Sequence, residues 1–528
     1  MGQSSALERF VTPLYRITLV VAAACVALRL VAKFSIDGAW DDAHMFGRYA
    51  DHLLDEHVLS WNPGGPPTYG LTTPLYLLVV LPVRLALRHA QPGLAIVLPS
   101  MLSGIALLAA IVLLIRRSSA EQPWVSRAAL LAFLVMLAGP GCAFPVHFAT
   151  GMDTTFDALF LAVYLLVAGG AVTVRRHVVA GCMGGLAFWI RPDLMLYALA
   201  VPTVLVFVDP GRRRAAASMF AATAGTLFLV IAVNVSYLHS ALPLPFYAKT
   251  TGLYGAAFAS RYRGAGVGEL GHFLATFWPL FALLALDIVR DVRAYWTESS
   301  AVEKAVLAAT VAHITYYAAF VLPVMGHYQR FYYPTLPALV FLGTNSLVRI
   351  GRSTPRHPSA AMAMLAFCWL LIPSSLDASI QDVVSAARDG SLADFNLHRN
   401  YRLHHASYWF RLEQAAQLPD DVVVAATEVG YPGTLMPKKQ IIDMAGLNDG
   451  ALIKTKFSGE QFLARFHPDL IYMPHPDYVD MLQSLEDAEQ FRSDYELFPP
   501  ERIHTPLGVA VRRASPTYSR MHDIFDAP

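Results

Sequence analysis

Charge is what this sequence has least of. Only 15% of its 528 residues are Asp, Glu, Lys or Arg, against roughly a quarter in an ordinary soluble chain. That shortage excludes a soluble body along the whole length, because it is concentrated in residues 14–376, where long apolar runs follow one another. Residues 380–528 have the composition of a soluble domain. The net charge is +1, so nothing points to nucleic acid as a partner. Cysteine is scarce as well. Cys25, Cys142, Cys182 and Cys368 sit singly inside apolar runs without paired spacing, which reads as core packing and not as disulfides or metal ligands. No internal repeat or low-complexity segment is present. The N-terminus lacks the small-residue cleavage site of a secretory signal. Its apolar run from Val11 to Phe34 matches the roughly 20 residues a bilayer requires and reads as a transmembrane helix that stays.

What is abundant is apolar sequence: 55% of residues are hydrophobic, with a mean hydropathy of +0.43. Further apolar segments run at 71–90, 93–115, 128–148, 155–174, 178–190, 192–208, 215–238, 271–289, 302–323, 331–349 and 360–376. These predict an α-helical polytopic membrane bundle over residues 1–378, with about 11–12 transmembrane segments, some short or re-entrant. Basic clusters at Arg116/Arg117, Arg175/Arg176, Arg212/Arg213/Arg214, Arg290/Arg293 and Arg349/Arg352/Arg356 mark the cytoplasmic side. The loops 37–70, 149–154, 239–270 and 324–330 then face outward, as does everything after about 377. The expected location is the cytoplasmic (inner) membrane, crossed many times, with the bilayer as a partner. The alternation closes only if one element between 71 and 115 is short or re-entrant. In 379–528, strand-like Val422–Ala426, Ile441–Met444 and Leu470–Met473 alternate with helix-like Gln461–Phe466, predicting a small extracytoplasmic α/β domain.

Five polar clusters fall on the outward face. The first loop carries Asp37, Asp41, Asp42, His44 and Arg48. Adjacent carboxylates beside a membrane helix are costly to desolvate without a task. Asp41 or Asp42 suits the proton transfer that a hydroxyl nucleophile needs; a helix cap or a solvated loop pair is the alternative. At Thr150–Thr154, Asp153 is placed to cap the helix starting at Thr154, which leaves room for a second role. Arg191-Pro192-Asp193 interrupts an apolar run, either as a local ion pair or as a guanidinium fork for phosphate. Leu242–Lys249 offers Tyr247 and Lys249, and Gly326–Pro334 offers His327 and Arg330. Lys249 either meets a phosphate or snorkels to the interface.

At these residues the chain resembles the GT-C superfamily of integral-membrane glycosyltransferases, above all a bacterial branch that includes mycobacterial arabinofuranosyltransferases. The branch's D-D-A-x-x-x-x-R-Y-A reads here as Asp41–Ala50, its W/F-N-P-G as Trp61–Gly64, and its G-Y-T-x-P-L as Tyr69–Leu75. S-G-M-E/D-T is matched by Thr150–Thr154, R-P-D-G by Arg191–Leu194, and L-P-N-T-x-Y-A-K by Leu242–Lys249. The tail pattern D-x-G…Y…I-D-x-x-G-L-x-D is matched by Glu428–Tyr431 and Ile442–Asp449. Thr150, Leu194, Leu244-Pro245 and Glu428 depart from the pattern.

The resemblance implies an inverting transferase using a polyprenyl-phosphate sugar, with arabinofuranose the candidate sugar and a glycan, lipid or protein the acceptor. It implies Asp41 as base with Asp42 beside it. Arg191, Lys249, Arg330, Tyr247 and His327 would stand at the donor, and His44, Arg48, Asp153 and Asp193 at the acceptor or in support. The resemblance names no certain cofactor, and a divalent cation at Asp41/Asp42 stays open. The competing readings are a lipid-linked sugar transporter or flippase, which should show repeat symmetry, and a scaffold whose C-terminal domain binds envelope glycans.

Overall fold

The computed structural model describes residues 2–34, 39–170, 173–250, 264–321, 326–353, 358–388, 409–450, 452, 457–503 and 507–526. Side chains are described for these except 2–11, 249, 250, 353 and 358–364. Asp37 and the side chain of Lys249 therefore lie outside what the structure describes. The chain forms two compact units: Met1–Ser35, Ser100–Val230 and Gly264–Asn396 make the first, and Ile36–Pro99, Ile231–Arg263 and Leu397–Pro528 the second.

The first unit is helical. Among the described residues of the chain, Thr12–Lys33, Pro92–Ser118, Pro210–Tyr237 and Ala265–Arg290 are long and apolar enough to cross a membrane, and shorter apolar helices accompany them. A helix satisfies every backbone N–H and C=O within itself, which the hydrocarbon interior demands. Leu113, Phe228, Leu229, Leu286 and Val289 stand exposed on these helices, a surface suited to lipid and not to water. Cys182, expected in a core, is exposed too, while Cys25, Cys142 and Cys368 are buried and all four are free thiols. The unit's aromatic core gathers Phe144, Phe148, Phe273, Phe277, Tyr332 and Tyr333. The buried Arg, Asp and Glu side chains described in this unit are paired, as burial requires. Arg29 meets Asp382 at 2.7 Å, and Arg349 holds both Asp287 and Glu303, at 2.7 and 2.6 Å.

Two apolar segments are broken by their own sequence. The 128–148 run stops at Ala138. It turns through Gly141, whose φ of +77° suits glycine, and resumes as Phe144–Ala149. The 71–90 run shrinks to an 11-residue helix, Leu77–Leu87, with Pro82 inside. At 1.5 Å per residue it is about half of the roughly 30 Å hydrocarbon thickness. This is the short element expected between 71 and 115.

The second unit holds a mixed five-stranded sheet ordered β2-β1-β3-β5-β4. β1 is Val424–Ala426, β2 Ile441–Asp443, β3 Leu470–Tyr472, β4 Tyr495–Phe498 and β5 Val509–Arg512. β1 runs parallel to both β2 and β3, and β5 runs antiparallel to β3 and β4. The expected helix appears as Gly459–Phe466, with Ser458 capping Gln461 N–H. β4 and β5 were not anticipated: each is four residues long, and their Glu496 and Arg512 break the apolar pattern.

The sheet packs with the first loop through Arg48, on the amphipathic helix Asp41–Asp55. Arg48 is 1% exposed. Nε donates to Trp61 O (2.6 Å), Nη1 to Gly433 O (2.5 Å) and Met436 O (3.0 Å), and Nη2 to Asn62 Oδ1 (3.1 Å) and Lys439 O (2.8 Å). All five guanidinium donors are thereby used. Trp61 Nε1 adds a bond to Ile441 O at 2.8 Å. Arg48→Lys keeps the charge but offers only three donors and leaves carbonyls buried without partners. The expected loss is about 3 kcal/mol, read as a lower thermal midpoint and faster proteolysis within 409–526 in detergent.

Candidate functional site

In the second unit, Asp41 opens the helix Asp41–Asp55 and reaches a segment nearly 400 residues away. Its Oδ2 accepts the N–H of Gly430 (2.8 Å) and its Oδ1 that of Tyr431 (2.7 Å). Two N–H bonds leave a carboxylate with lone pairs to spare. Close approach is possible because residue 430 is glycine: a Cβ there would lie 1.8 Å from the Asp41 carbonyl oxygen. Burial pushes the Asp41 carboxyl up to about 7, and the charge of Asp42 adds to this against the Tyr431 and Gly430 N–H groups. Glu428, on the same turn, is pushed well above the carboxylate range, by burial first and then by the charges of Asp41, Asp42 and Asp443. Asp41, Asp42 and Glu428 are all half-buried. A carboxyl that titrates near neutrality is the kind that serves as a general base.

The remaining motif residues of this unit lock the arrangement. His44 is buried edge-on to the Tyr431 ring at 5.3 Å, and burial holds it neutral, down to about 3. Asp443 accepts N–H groups from Asn448 and Ala445, at 2.9 and 3.0 Å, and Tyr49 O–H donates to Asn448 Oδ1 at 2.9 Å. The segment carrying Tyr247 is pinned by the Leu244 N–H, which donates to Tyr69 O at 2.8 Å. That bond keeps the half-buried Tyr247 in the same unit as Asp41.

The first unit carries a second polar cluster, inside apolar helices. Arg191 ends the helix Val174–Ile190. Its Nε bonds Asp193 Oδ1 (3.1 Å), Nη1 reaches Asp157 Oδ2 (3.4 Å) and Nη2 bonds the Tyr317 hydroxyl (2.7 Å). Tyr317 O–H in turn donates to Asp193 Oδ2 at 2.9 Å. The local pairing of Arg191 with Asp193 is thus present, while three of five donors have partners among the described residues. Arg330 pairs with Asp153 at 3.2 Å. Asp153 occupies the N-cap position of Thr154–Gly169 but its side chain makes no cap bond; the expected cap gives way to the buried guanidinium. Arg330 follows a strained turn in which Tyr328 and Gln329 both have φ of +57°, a conformation costing roughly 1–2 kcal/mol per non-glycine residue. His147 Nε2 to Tyr328 O (2.8 Å) and Gln329 N–H to Glu269 Oε2 (2.8 Å) hold that turn. His327 sits on it, exposed.

The structure thus gathers Asp41, Asp42, His44, Arg48 and Tyr247 in one unit, and Asp153, Arg191, Asp193, His327 and Arg330 in the other. Asp157, His313 and Tyr317 were missed. Asp157 is the one acidic side chain in Thr154–Gly169, a signal in itself within an apolar run. His313 and Tyr317 are four apart on Ala301–Ala319 and so share a face; His313 Nε2 lies 3.6 Å from Asp193. Among the described residues, no group of three His, Cys, Asp or Glu is arranged to hold a metal ion.

No family model matches the chain, and no curated protein matches its sequence. Its fold is similar to that of ArnT from Cupriavidus metallidurans. The apo crystal structure aligns with a TM-score of 0.55 at 14% identity, covering 93% of this chain and 97% of ArnT. The crystal structure of ArnT bound to undecaprenyl phosphate aligns with a TM-score of 0.54, also at 14% identity, covering 94% and 98%. The shared fold is a helical membrane bundle with several apolar spans and a small C-terminal mixed α/β sheet, so the chain is a multi-pass membrane protein.

Gly430→Ala forces a methyl group into the Asp41 backbone and should break both N–H bonds to its carboxylate. The expected outcome is a destabilisation of about 2–4 kcal/mol, as for other buried steric and hydrogen-bond losses, read by thermal unfolding; an unchanged midpoint contradicts the contact.

Proposed function

We propose that this chain is an inverting glycosyltransferase that moves a sugar from a polyprenyl phosphate to an acceptor hydroxyl on the extracytoplasmic side of the membrane. The observation that carries this reading is the fold. It follows, over nearly the whole chain, that of a protein crystallised with undecaprenyl phosphate.

In this reading Asp41 accepts the proton of the acceptor hydroxyl as the oxygen attacks the anomeric carbon. The bond from that carbon to the phosphate oxygen breaks on the opposite face, and the polyprenyl phosphate leaves with the bonding electron pair. Arg191, Lys249 and Arg330 take the developing phosphate charge, and Tyr247 and His327 are the further donor-binding residues of this reading. Fixed cations aimed at such charge are commonly what lowers a barrier of this kind most. Asp42 orients the acceptor, and Asp153 and Asp193 hold Arg330 and Arg191. Arg48, its donors fully engaged, supports the loop. Arabinofuranose is the candidate sugar. Residues 1–378 form the membrane-embedded part, and 379–528 the extracytoplasmic part.

Incubating the purified chain with a panel of radiolabelled polyprenyl-phosphate sugars should release label from one of them; no release from any member counts against transferase activity. Asp41→Asn should abolish that release while the protein stays folded in detergent, and an active, folded variant removes Asp41 from the base role. The pH profile follows from the sign of the shift. Only the ionised carboxylate accepts a proton, so kcat/KM should fall about tenfold per pH unit below about 7, where Asp41 titrates. Arg191→Ala should weaken binding of undecaprenyl phosphate about tenfold or more, as expected for a lost charge-assisted contact. Equal binding returns Arg191 to a structural role.

A further inference from the structure

A cavity of about 420 Å³ in the first unit lies between the ends of three helices, Thr12–Lys33, Pro92–Ser118 and Pro123–Ala138. Its place in the bundle follows from the second of these. Near the start of that helix, Ser100 Oγ donates to Phe148 O and accepts the Gly151 N–H, at 2.9 and 3.0 Å, close to Asp153. From Ser100 to Arg116 the helix rises about 24 Å. Beyond it, Arg117 donates to Leu166 O at 2.8 Å and Arg176 to Gly170 O at 3.3 Å. Arg116, Arg117, Arg127 and Arg176 thus stand at the end of the bundle opposite the Asp153–Arg330 pair.

The lining changes character with depth. Tyr15, Arg116, Ser126 and Arg127 form its polar part. Leu19 and Leu130 also line it, each about one turn further into the bundle than Tyr15 and Arg127. The charges of Arg127 and Arg116 both act on the Tyr15 hydroxyl, so the three converge. Among the described residues, none of these four polar side chains makes a hydrogen bond or an ion pair, and no acid lines the cavity. Glu121, the one acid in the turn joining the second and third helices, pairs with Arg352 at 2.8 Å. Arg127 also stands near the start of its helix, whose first turn has no acidic residue. The helix dipole there opposes a cation and favours an anion.

The chemistry selects the ligand. Two guanidiniums and two hydroxyls match the oxygens of a phosphate group. A free phosphate has no use for the leucines beneath, whereas acyl chains do. Ile17 and Val20, exposed on the first helix, continue that apolar surface. Clustered basic residues are the mark of the cytoplasmic side, and basic pockets between helices on that side suit acidic lipid headgroups.

We propose that this cavity binds the phosphodiester headgroup of an anionic phospholipid of the cytoplasmic leaflet, its acyl chains passing over Leu19 and Leu130. It is a second lipid site, separate from that of the polyprenyl carrier and independent of the transferase reading.

The test is isothermal titration of the full detergent-purified chain with dioctanoyl phosphatidylglycerol, compared with dioctanoyl phosphatidylcholine, sodium phosphate and undecaprenyl phosphate. Phosphatidylglycerol should bind at least tenfold more tightly than phosphatidylcholine, and sodium phosphate should not displace it. Arg116→Gln and Arg127→Gln should each weaken phosphatidylglycerol about tenfold, the loss of one charge-assisted contact. Both side chains are exposed, so thermal midpoints and undecaprenyl phosphate binding should stay at the parent values. Arg175→Gln removes the same charge at the same end of the bundle, outside the cavity, and should bind phosphatidylglycerol as the parent does. Should either cavity variant fail to fold, Tyr15→Phe should weaken the lipid about threefold. Equal affinity for the two phospholipids, displacement by sodium phosphate or parent-like binding by the folded variants overturns the proposal. So does an equal loss in Arg175→Gln, or a loss of undecaprenyl phosphate binding in the cavity variants.

Discussion

A buried guanidinium must find an acceptor for each of its five N–H groups, and in the second unit that requirement organises everything else. Arg48 meets it with four carbonyls and the Asn62 side chain. Those acceptors come from the first loop and from the segment between β1 and β2, so neither can be built without the other. Once that registration is set, Asp41 lies against Gly430 and Tyr431, and Tyr49 meets Asn448. A carboxylate fixed by two backbone N–H groups and partly withdrawn from water is oriented and weakly basic near neutral pH, two properties that a proton acceptor requires together. Structure and chemistry thus share one cause.

The first unit meets a different problem, again through paired charge. Its helices are apolar, and an ionised side chain inside them is costly unless paired. Arg191 is paired with Asp157 and Asp193 and bridged by Tyr317; Arg330 is paired with Asp153. Three carboxylates against two guanidiniums, with His313 3.6 Å from Asp193, is more elaborate than helix packing needs. The left-handed pair Tyr328–Gln329 points the same way. Strain of this kind persists only where the surroundings over-determine it, and it gathers at functional positions.

Much of this was legible in the sequence, and the gaps have physical reasons. The membrane bundle followed from apolar runs and the dearth of charge. Three of five strands were visible as buried runs of β-branched and apolar residues, whereas β4 and β5, four residues each with a charged residue included, carried too little pattern. The motif blocks containing Asp41, Arg48, Trp61, Glu428 and Asp443 could be recognised one by one. Nothing in a linear pattern shows that Arg48 uses all its donors on carbonyls and one amide, because backbone acceptors leave no sequence trace. Asp153 looked like a helix cap, since sequence reveals the neighbour at Thr154 but not Arg330, 177 residues away. Asp157, His313 and Tyr317 read as minor polar interruptions of apolar helices until the fold brought them to Arg191.

In the proposed reaction everything depends on guanidinium groups in the bundle holding the phosphate of a polyprenyl carrier. A cryo-electron microscopy structure of the chain in nanodiscs with undecaprenyl phosphate tests this most directly. The phosphate should lie within hydrogen-bonding distance of Arg191 or Arg330. Lipid phosphate bound elsewhere, with both arginines still engaged only by their aspartates, would contradict it.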